Sequence, residues 1–219
     1  MVILGLTGSI GMGKSTAAQA FRRAGVPVHD ADRAVHGLLA KGGRAVALVE
    51  AAFPGVTRDG AVDREKLGQR VFADADADAL ARLEAILHPM VREAERRFLR
   101  RTAADGHRVA VLDVPLLFET GGEERCDAVV VVSAPPFVQR ARVMKRSGMT
   151  RARLAAILAQ QMPDKVKCRR ADFVVQTGIG RAFSLQRINN IVRVANRLHG
   201  CRWPPSGRRR CLRPRPRRA

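Results

Sequence analysis

Residues 2–16, VILGLTGSIGMGKST, constrain the fold more than any other stretch of the chain. Residues 2–6 form a short apolar run with strand character that leads into Gly8-x-x-x-x-Gly13-Lys14-Ser15. Two glycines separated by four residues, then a lysine and a hydroxyl residue, make the pattern of a phosphate-cradling P-loop. Backbone N–H groups must converge on phosphate oxygens there, and glycine lets the chain wrap closely with no Cβ in the way. A helix predicted over residues 14–24 adds the positive end of its dipole. Lys14 is the residue type that reaches β- and γ-phosphates, and the Ser15 hydroxyl the type that ligates Mg²⁺. A glycine-rich turn with a purely structural part needs neither Lys14 nor Ser15. The candidate phosphate-binding residues are therefore Gly8, Ser9, Ile10, Gly11, Met12, Gly13, Lys14, Ser15 and Thr16.

With 219 residues the chain suits one α/β domain with insertions, or a core plus a small second lobe. Residues 2–6 are too short for the apolar region of a signal peptide, and no run approaches the ~18 apolar residues of a membrane span. Cys126, Cys168, Cys201 and Cys211 show no C-x-x-C spacing and no nearby histidine pair, so neither zinc nor a disulfide framework is indicated. A cytoplasmic protein with four ordinary thiols and no membrane partner is expected. The net charge of +20 is uneven: residues 200–219 hold eight arginines and no acid, leaving +12 on residues 1–199. A basic body suits an enzyme that handles polyphosphates. The tail, rich in arginine and proline with almost nothing to bury, is predicted to be disordered, and its only nucleic-acid signal is electrostatic.

Along the chain, Gly25 ends the first helix, and residues 26–29 read as a second strand leading into Asp30 and Asp32. Carboxylates just past a strand end lie on the side of an open α/β sheet where ligands bind. Either aspartate also suits the N-cap of the helix predicted over 32–39. Behind a P-loop, one of the pair is expected to be catalytic. Residues 41–104 read as mostly helical, without a strand. Leu80, Leu83, Ile86 and Leu87 precede His88-Pro89, and Val91, Ala94, Phe98 and Leu99 follow it, so Pro89 is expected to open a new helix over 89–102. By its placement between the second and third strands, this insertion is the expected acceptor-substrate lobe.

Residues 108–113 are a third strand ending in Asp113, the Walker-B arrangement in which an aspartate lies near the metal's water shell. Residues 127–132 form a fourth strand, β-branched enough for burial on both faces. Pro135 and Pro136 open a helix carrying Gln139, Arg142 and Arg146. Arg142 and Arg146 are four apart and so expected on one face, where arginines can neutralise charge on a transferring phosphoryl group. Helices are predicted over 149–162, capped by Thr150, and over 163–170. A strand over 171–175 and a turn over 176–178 come next, then a last helix over 184–198 capped by Ser184.

Strand and helix alternating behind a P-loop give a three-layer α/β fold, a parallel sheet covered by helices, with a helical insertion and a helical lid. The expected core is residues 1–32, 105–135 and 171–199. The acceptor lobe is 33–104, the lid 136–170, and the basic tail 200–219. A GTP-dependent switch should carry N-K-x-D, and none of Asn189, Asn190 and Asn196 begins that motif. A motor-type ATPase places Glu after the Walker-B aspartate, and Val114 stands there instead. A small-molecule kinase needs a P-loop, a base near the acceptor hydroxyl and an arginine-bearing lid. Asp32, the Arg142/Arg146 face and residues 149–170 are candidates for the last two.

GLTGSIGMGKST at 5–16, VPVHDAD at 26–32, LHP at 87–89, DVPLLFE at 113–119 and the run Gln139, Arg142, Arg146 closely resemble the dephospho-CoA kinase family. Gln161 and RRADFVV at 169–175 extend the resemblance to residues 1–198. It implies phosphorylation of the ribose 3′-hydroxyl of dephospho-CoA by ATP with Mg²⁺, giving coenzyme A and ADP as the last step of coenzyme A synthesis. It implies Asp32, Lys14 and Arg142 as catalytic residues. Arg142, Arg146 and Gly178 are implied as further nucleotide contacts, with the 176–178 turn at the adenine. Asp32, His88, Pro115, Leu116, Leu117 and Glu119 are implied at the acceptor. Ser15 and, through water, Asp113 are implied at the metal. The expected partners are ATP and dephospho-CoA, with nucleic acid touched only non-specifically by the tail, in a monomer or weak homo-oligomer. Three departures from the family pattern are Ser9, Met12 and Gln176, the last in place of a common acid.

Overall fold

A computed structural model of the chain describes residues 1–71 and 78–204. In chain order its elements begin β1 (Val2–Thr7), α1 (Lys14–Arg23), β2 (Val28–Asp30), α2 (Ala31–Leu39), α3 (Val46–Ala52), β3 (Thr57–Arg58), β4 (Ala61–Val62), α4 (Arg64–Val71) and α5 (Ala79–Ala104). They continue with β5 (Val109–Asp113), a 3₁₀ turn at Gly122–Arg125, β6 (Ala128–Ser133), α6 (Pro136–Met144), α7 (Arg151–Ala159), α8 (Asp164–Arg170), β7 (Phe173–Gln176) and α9 (Arg181–Ala195). The chain divides into two compact units, one of Met1–His29 with Arg101–Ala219, the other of Asp30–Arg100.

The first unit is built on a five-stranded sheet of order β2-β5-β1-β6-β7. β1 pairs in parallel with β5 on one side and β6 on the other, and β6 pairs in parallel with β7. Every residue of β1, β5 and β6 is buried, which is why these strands read as unbroken apolar runs rather than alternating ones. Leu4, Leu6, Val111, Val130 and Val132 share a core with Ala17 and Phe21 of α1 and Ile188 and Ile191 of α9. Full burial of each large apolar side chain contributes about 1.5–3 kcal/mol. Strand order reverses beside β1, so the loop leaving β1 sits at a topological switch point, where open α/β sheets bind ligands.

The second unit has its own core of Leu39, Val49, Phe53, Val56, Val62, Leu67 and Val71, with Leu83, Ile86, Leu87 and Met90 of α5 packed against it. Two expectations are corrected here. β3 and β4 form a short antiparallel hairpin where no strand is expected, and Asp59 and Gly60 turn it with φ of 52° and 78°. Positive φ at both central residues is what an Asp-Gly hairpin turn supplies. The second correction concerns Pro89, which lies inside α5 instead of opening a helix. Its ring removes the bond to the Ala85 carbonyl, at about 3 kcal/mol. Apolar residues on both sides of it, Ile86 and Leu87 before and Met90 after, bury on the same core and hold the helix through the break. Leu80, by contrast, is 43% exposed.

Smaller corrections have local causes. Ser184 does not cap the last helix: α9 begins at Arg181 behind Gly180, and the Ser184 hydroxyl reaches the carbonyls of Gln176 (2.9 Å) and Gly180 (3.0 Å). The first residues of the expected disordered tail are held. The N–H groups of Cys201 and Arg202 donate to Asp127 Oδ1 at 2.7 and 3.1 Å, while Asp127 Oδ2 accepts from the Ile3 N–H at 2.7 Å. The rest of that expectation, residues 205–219, lies outside the described residues. Cys126 and Cys168 are not in a disulfide, whereas Cys201 is disulfide-bonded, against the expectation of four thiols. No helix among the described residues is long and apolar enough to cross a membrane.

Candidate active site

The loop between β1 and α1 follows from two different demands on glycine. A Cβ at Gly8 would lie 2.3 Å from Val132 Cγ2 and 2.7 Å from the Val132 carbonyl oxygen, so only glycine lets the loop leave β1 against β6. Gly13 takes φ 93°, in the left-handed region, as the residue that caps α1. No side chain caps that helix, and its first turn holds no acid. The N–H groups of Lys14, Ser15 and Thr16 have no acceptor among the described residues. A free row of N–H groups at the positive end of a ten-residue helix is a ready anion site.

The parallel register sets Leu6 of β1 beside Asp113 of β5, so the two strands end level. Lys14 Nζ lies 2.8 Å from Asp113 Oδ1, and Asp113 is only 2% exposed. Ser15 and Thr16 are exposed, and the Ser15 hydroxyl has no partner among the described residues. One hydroxyl and one carboxylate suit Mg²⁺, which keeps several waters and shares phosphate oxygens instead of using an all-protein cage. No cluster of three His, Cys, Asp or Glu side chains that could hold a metal occurs among the described residues.

Three side chains from distant segments close on the outer arc of this loop. Gln139 Nε2 donates to the Ile10 carbonyl at 2.8 Å, Arg142 Nη1 to the Gly11 carbonyl at 3.4 Å, and Thr177 Oγ1 to the Met12 carbonyl at 2.6 Å. Arg142 also donates to Thr177 Oγ1 (2.9 Å) and the Thr177 carbonyl (2.7 Å), so its guanidinium is engaged with the loop and the turn after β7. Arg146 lies outside the helix that carries Arg142: α6 ends at Met144, and Arg146 is exposed beyond the Lys145 cap. Gly178 packs its α-carbon beside Pro135, where a Cβ would fall 2.4 Å from the proline ring. Met12 is buried, its sulfur accepting from the Ala134 N–H at 3.1 Å. Nothing local in Gln176-Thr177-Gly178 tells which backbone the Thr177 hydroxyl will meet, so its spacing does not single it out.

In the segment after β5, Pro115 is half-buried and Leu116 40% exposed, whereas Leu117 is fully buried in the core. Glu119 Oε1 accepts from the Met162 N–H at 2.8 Å and lies 2.8 Å from Lys167 Nζ, a fully buried ammonium. Burial pushes the Glu119 carboxyl up, but Lys167 and the backbone donors prevail and hold it below the usual carboxylate range. Arg170 ties the same helix down through an ion pair with Glu123 and by lying 4.6 Å from the Phe118 ring centre. Lys167 is invisible in the sequence, where it reads as one of several charges in a basic helix.

Because breaking a buried pair strands one charge, Glu119→Gln is expected to cost about 3 kcal/mol, or about 6–12 °C in Tm at neutral pH. Glu119→Gln with Lys167→Met should recover most of that loss. A carboxyl lowered on folding stabilises above its unfolded pKa and loses that contribution as pH falls through its folded value. The gap between wild type and Glu119→Gln in thermal melts should therefore narrow only below about pH 4.3, the ordinary glutamate value.

The remaining candidates belong to the second unit. Asp30 caps α2, its Oδ1 accepting from the Arg33 N–H at 3.0 Å, which assigns the capping role left open between the two aspartates. Asp32 stands exposed in the first turn of α2, its carboxylate without a partner among the described residues. His88 is exposed on α5 immediately before Pro89. The first unit thus brings together Gly8 to Thr16, Asp113, Arg142 and Gly178, while Asp32 and His88 lie in the other unit.

Residues 2–180 match the family model described as dephospho-CoA kinase. A dephospho-CoA kinase of Paramagnetospirillum magneticum is 68% identical over 167 residues, covering 76% of this chain and 78% of that protein. One from Mesorhizobium japonicum is 58% identical over 192 residues, covering 88% and 95%. Among solved structures, TT1252 from Thermus thermophilus superposes with a TM-score of 0.76 at 36% identity, over 91% of this chain and 98% of that one. A dephospho-CoA kinase from Campylobacter jejuni, at TM-score 0.59 and 22% identity over 88% and 96%, shares the fold. The chain belongs to the dephospho-CoA kinase family, and its activity is that of the family, transfer of phosphate from ATP to dephospho-CoA.

Proposed function

We propose that the loop of residues 8–16 holds the ATP phosphates while Asp32 accepts the proton of the 3′-hydroxyl of dephospho-CoA, the ribose oxygen then taking the γ-phosphoryl group. The observation that carries this reading is the uncapped row of N–H groups at α1 beside the Lys14–Asp113 pair. As the bond from the γ-phosphorus to the bridging oxygen breaks, negative charge builds on the departing ADP. On this reading Lys14 and the loop amides take up that charge, the kind of electrostatic help phosphoryl transfer depends on. The new bond joins the 3′-oxygen to the γ-phosphorus, and the hydroxyl proton passes to the Asp32 carboxylate. In a loose transition state little deprotonation is needed early, so an ordinary carboxylate suffices as base. Mg²⁺, when bound with the nucleotide, neutralises charge on the β- and γ-oxygens. Ser15, and Asp113 through water, are the residues to hold it.

On this reading His88, Pro115, Leu116 and Glu119 line the acceptor, with Leu117 supporting that segment from the core. Arg142 orders the phosphate loop and Arg146 belongs to a lid over residues 136–170. The turn at Gln176 to Gly178 receives the adenine, and the enzyme works in the cytoplasm.

The test is ADP release from Mg-ATP with dephospho-CoA, no acceptor, adenosine or shikimate. Stimulation by dephospho-CoA alone, with coenzyme A as product, is expected. Equal stimulation by adenosine would show that the pantetheine arm contributes nothing to recognition. None at all, with ATP still bound, would remove dephospho-CoA as acceptor.

A further inference from the structure

We propose that Gln139 and Thr177 are positioning residues for phosphoryl transfer, which pre-form the nucleotide's anion site by pinning loop carbonyls outward. The inference rests on the reading of residues 8–16 as the phosphate cradle. Its starting point is that a trans peptide holds its C=O and N–H on opposite sides, so fixing a carbonyl fixes the next residue's N–H. The Ile10 carbonyl is held by Gln139 and the Met12 carbonyl by Thr177, at 2.8 and 2.6 Å. The N–H groups on those same two peptide units belong to Gly11 and Gly13, and neither has an acceptor among the described residues. The unit between them differs. Its Gly11 carbonyl meets Arg142 only at 3.4 Å, and its Met12 N–H is taken by the Ser9 carbonyl at 3.1 Å.

Two free N–H groups are thus aimed away from their anchors on either side of a closed turn, just ahead of the free N–H groups of α1. The anchors are themselves held. Gln139 is 7% exposed and sits on α6. Thr177 is tied by its N–H to the Ser133 carbonyl (2.8 Å), and its hydroxyl and carbonyl accept from Arg142. Gly13 meets the same side chain: a Cβ there would lie 3.3 Å from Thr177 Oγ1. A second brace fixes the entry to the arc, where the Ile10 N–H donates to Gln161 Oε1 at 3.1 Å. Without these anchors each glycine-rich peptide would be free to flip, and the ordering would fall on the ligand at the moment of binding, weakening it. Arg142, on this account, acts on the phosphates through the loop and through Thr177.

Thr177→Val keeps the shape and deletes the hydroxyl, Thr177→Ser restores it, and Gln139→Met removes the second anchor. The loss of one such bond predicts about tenfold weaker binding of Mg-ATP to Thr177→Val. Inorganic tripolyphosphate, which has no base for the adenine turn to hold, should weaken by the same factor when it competes for the site. KM for dephospho-CoA should stay within about twofold, as expected where the binding partner of that substrate is untouched. Thr177→Ser should return both affinities to near wild type. Gln139→Met should show the same split between ATP and dephospho-CoA.

Unchanged tripolyphosphate affinity in Thr177→Val would overturn the proposal and assign Thr177 to the base instead. So would a Thr177→Ser variant as weak as Thr177→Val, since methyl packing and not the hydroxyl would then matter. Wild-type enzyme run alongside with dephospho-CoA separates this from the functional reading. Absent coenzyme A formation sinks that reading, while the tripolyphosphate comparison still reports on the braces.

Discussion

Replacing Lys14 with alanine is expected to lower kcat about 10²–10³-fold, the usual effect of deleting one charged group that meets developing negative charge. KM for ATP should rise as well, because the lysine would touch phosphates in the ground state and in the transition state. Two consequences of the substitution must be kept apart. Lys14 is also the partner of Asp113, at 2.8 Å, and Asp113 is 2% exposed. Loss of a partner from a buried pair costs about 3–5 kcal/mol, which for a chain of this size lowers Tm by roughly 6–20 °C. Activity must therefore be measured well below the variant's melting point. Lys14→Ala with Asp113→Ala removes both members of the ion pair, so its Tm should rise relative to Lys14→Ala while kcat stays low. A stable Lys14→Ala variant with wild-type kcat would refute the role of the loop as phosphate cradle.

Asp32→Asn is expected to keep ATP affinity and stability and to lose about a thousandfold in turnover, within the range for removing a general base. The prediction of unchanged stability comes from the structure. Asp32 is exposed and has no partner among the described residues, while the capping bond of α2 is made by Asp30. An exposed acid in the first turn of a helix contributes about 0.3–1 kcal/mol through the dipole, so the neutral amide should cost no more than that. The amide is also close in size to the carboxylate, so acceptor binding should survive. The decisive comparison is kcat with dephospho-CoA against Kd for ATP in the same preparation. Wild-type turnover in Asp32→Asn would remove it as the base, and equal loss of ATP binding would move its role to the nucleotide.

The two units differ in how far local pattern reaches. The central strands β1, β5 and β6 are legible because burial on both faces writes itself as runs such as VILGLT and AVVVVS, and these runs need no knowledge of partners. The α1 start was equally legible, since Gly13 and the hydroxyls behind it are a local signal. In the second unit the hairpin at residues 57–62 escaped although Asp59-Gly60 is a turn signal, because its two-residue strands are too short to show alternation. Pro89 misled for a related reason. Proline speaks for a helix break locally, and only the shared core beneath both sides overrules it.

By itself the sequence determined the phosphate loop, the order in which the five sheet strands follow along the chain, the acid at the end of β5 and the family, because each is carried by residues adjacent in the chain. Tertiary structure alone decided what those residues meet. Gln139, Arg142 and Thr177 reach the loop carbonyls from 129, 131 and 165 residues away. Lys167 finds Glu119, and Asp127 holds residues 201 and 202 against β1. The burial of Leu117 in the core and the bonds from Arg142 to Gly11 and Thr177 are decided on the same grounds. A side chain's residue type sets which bonds it can make, but the folded chain alone sets which backbone atoms lie within the roughly 3 Å over which those bonds form.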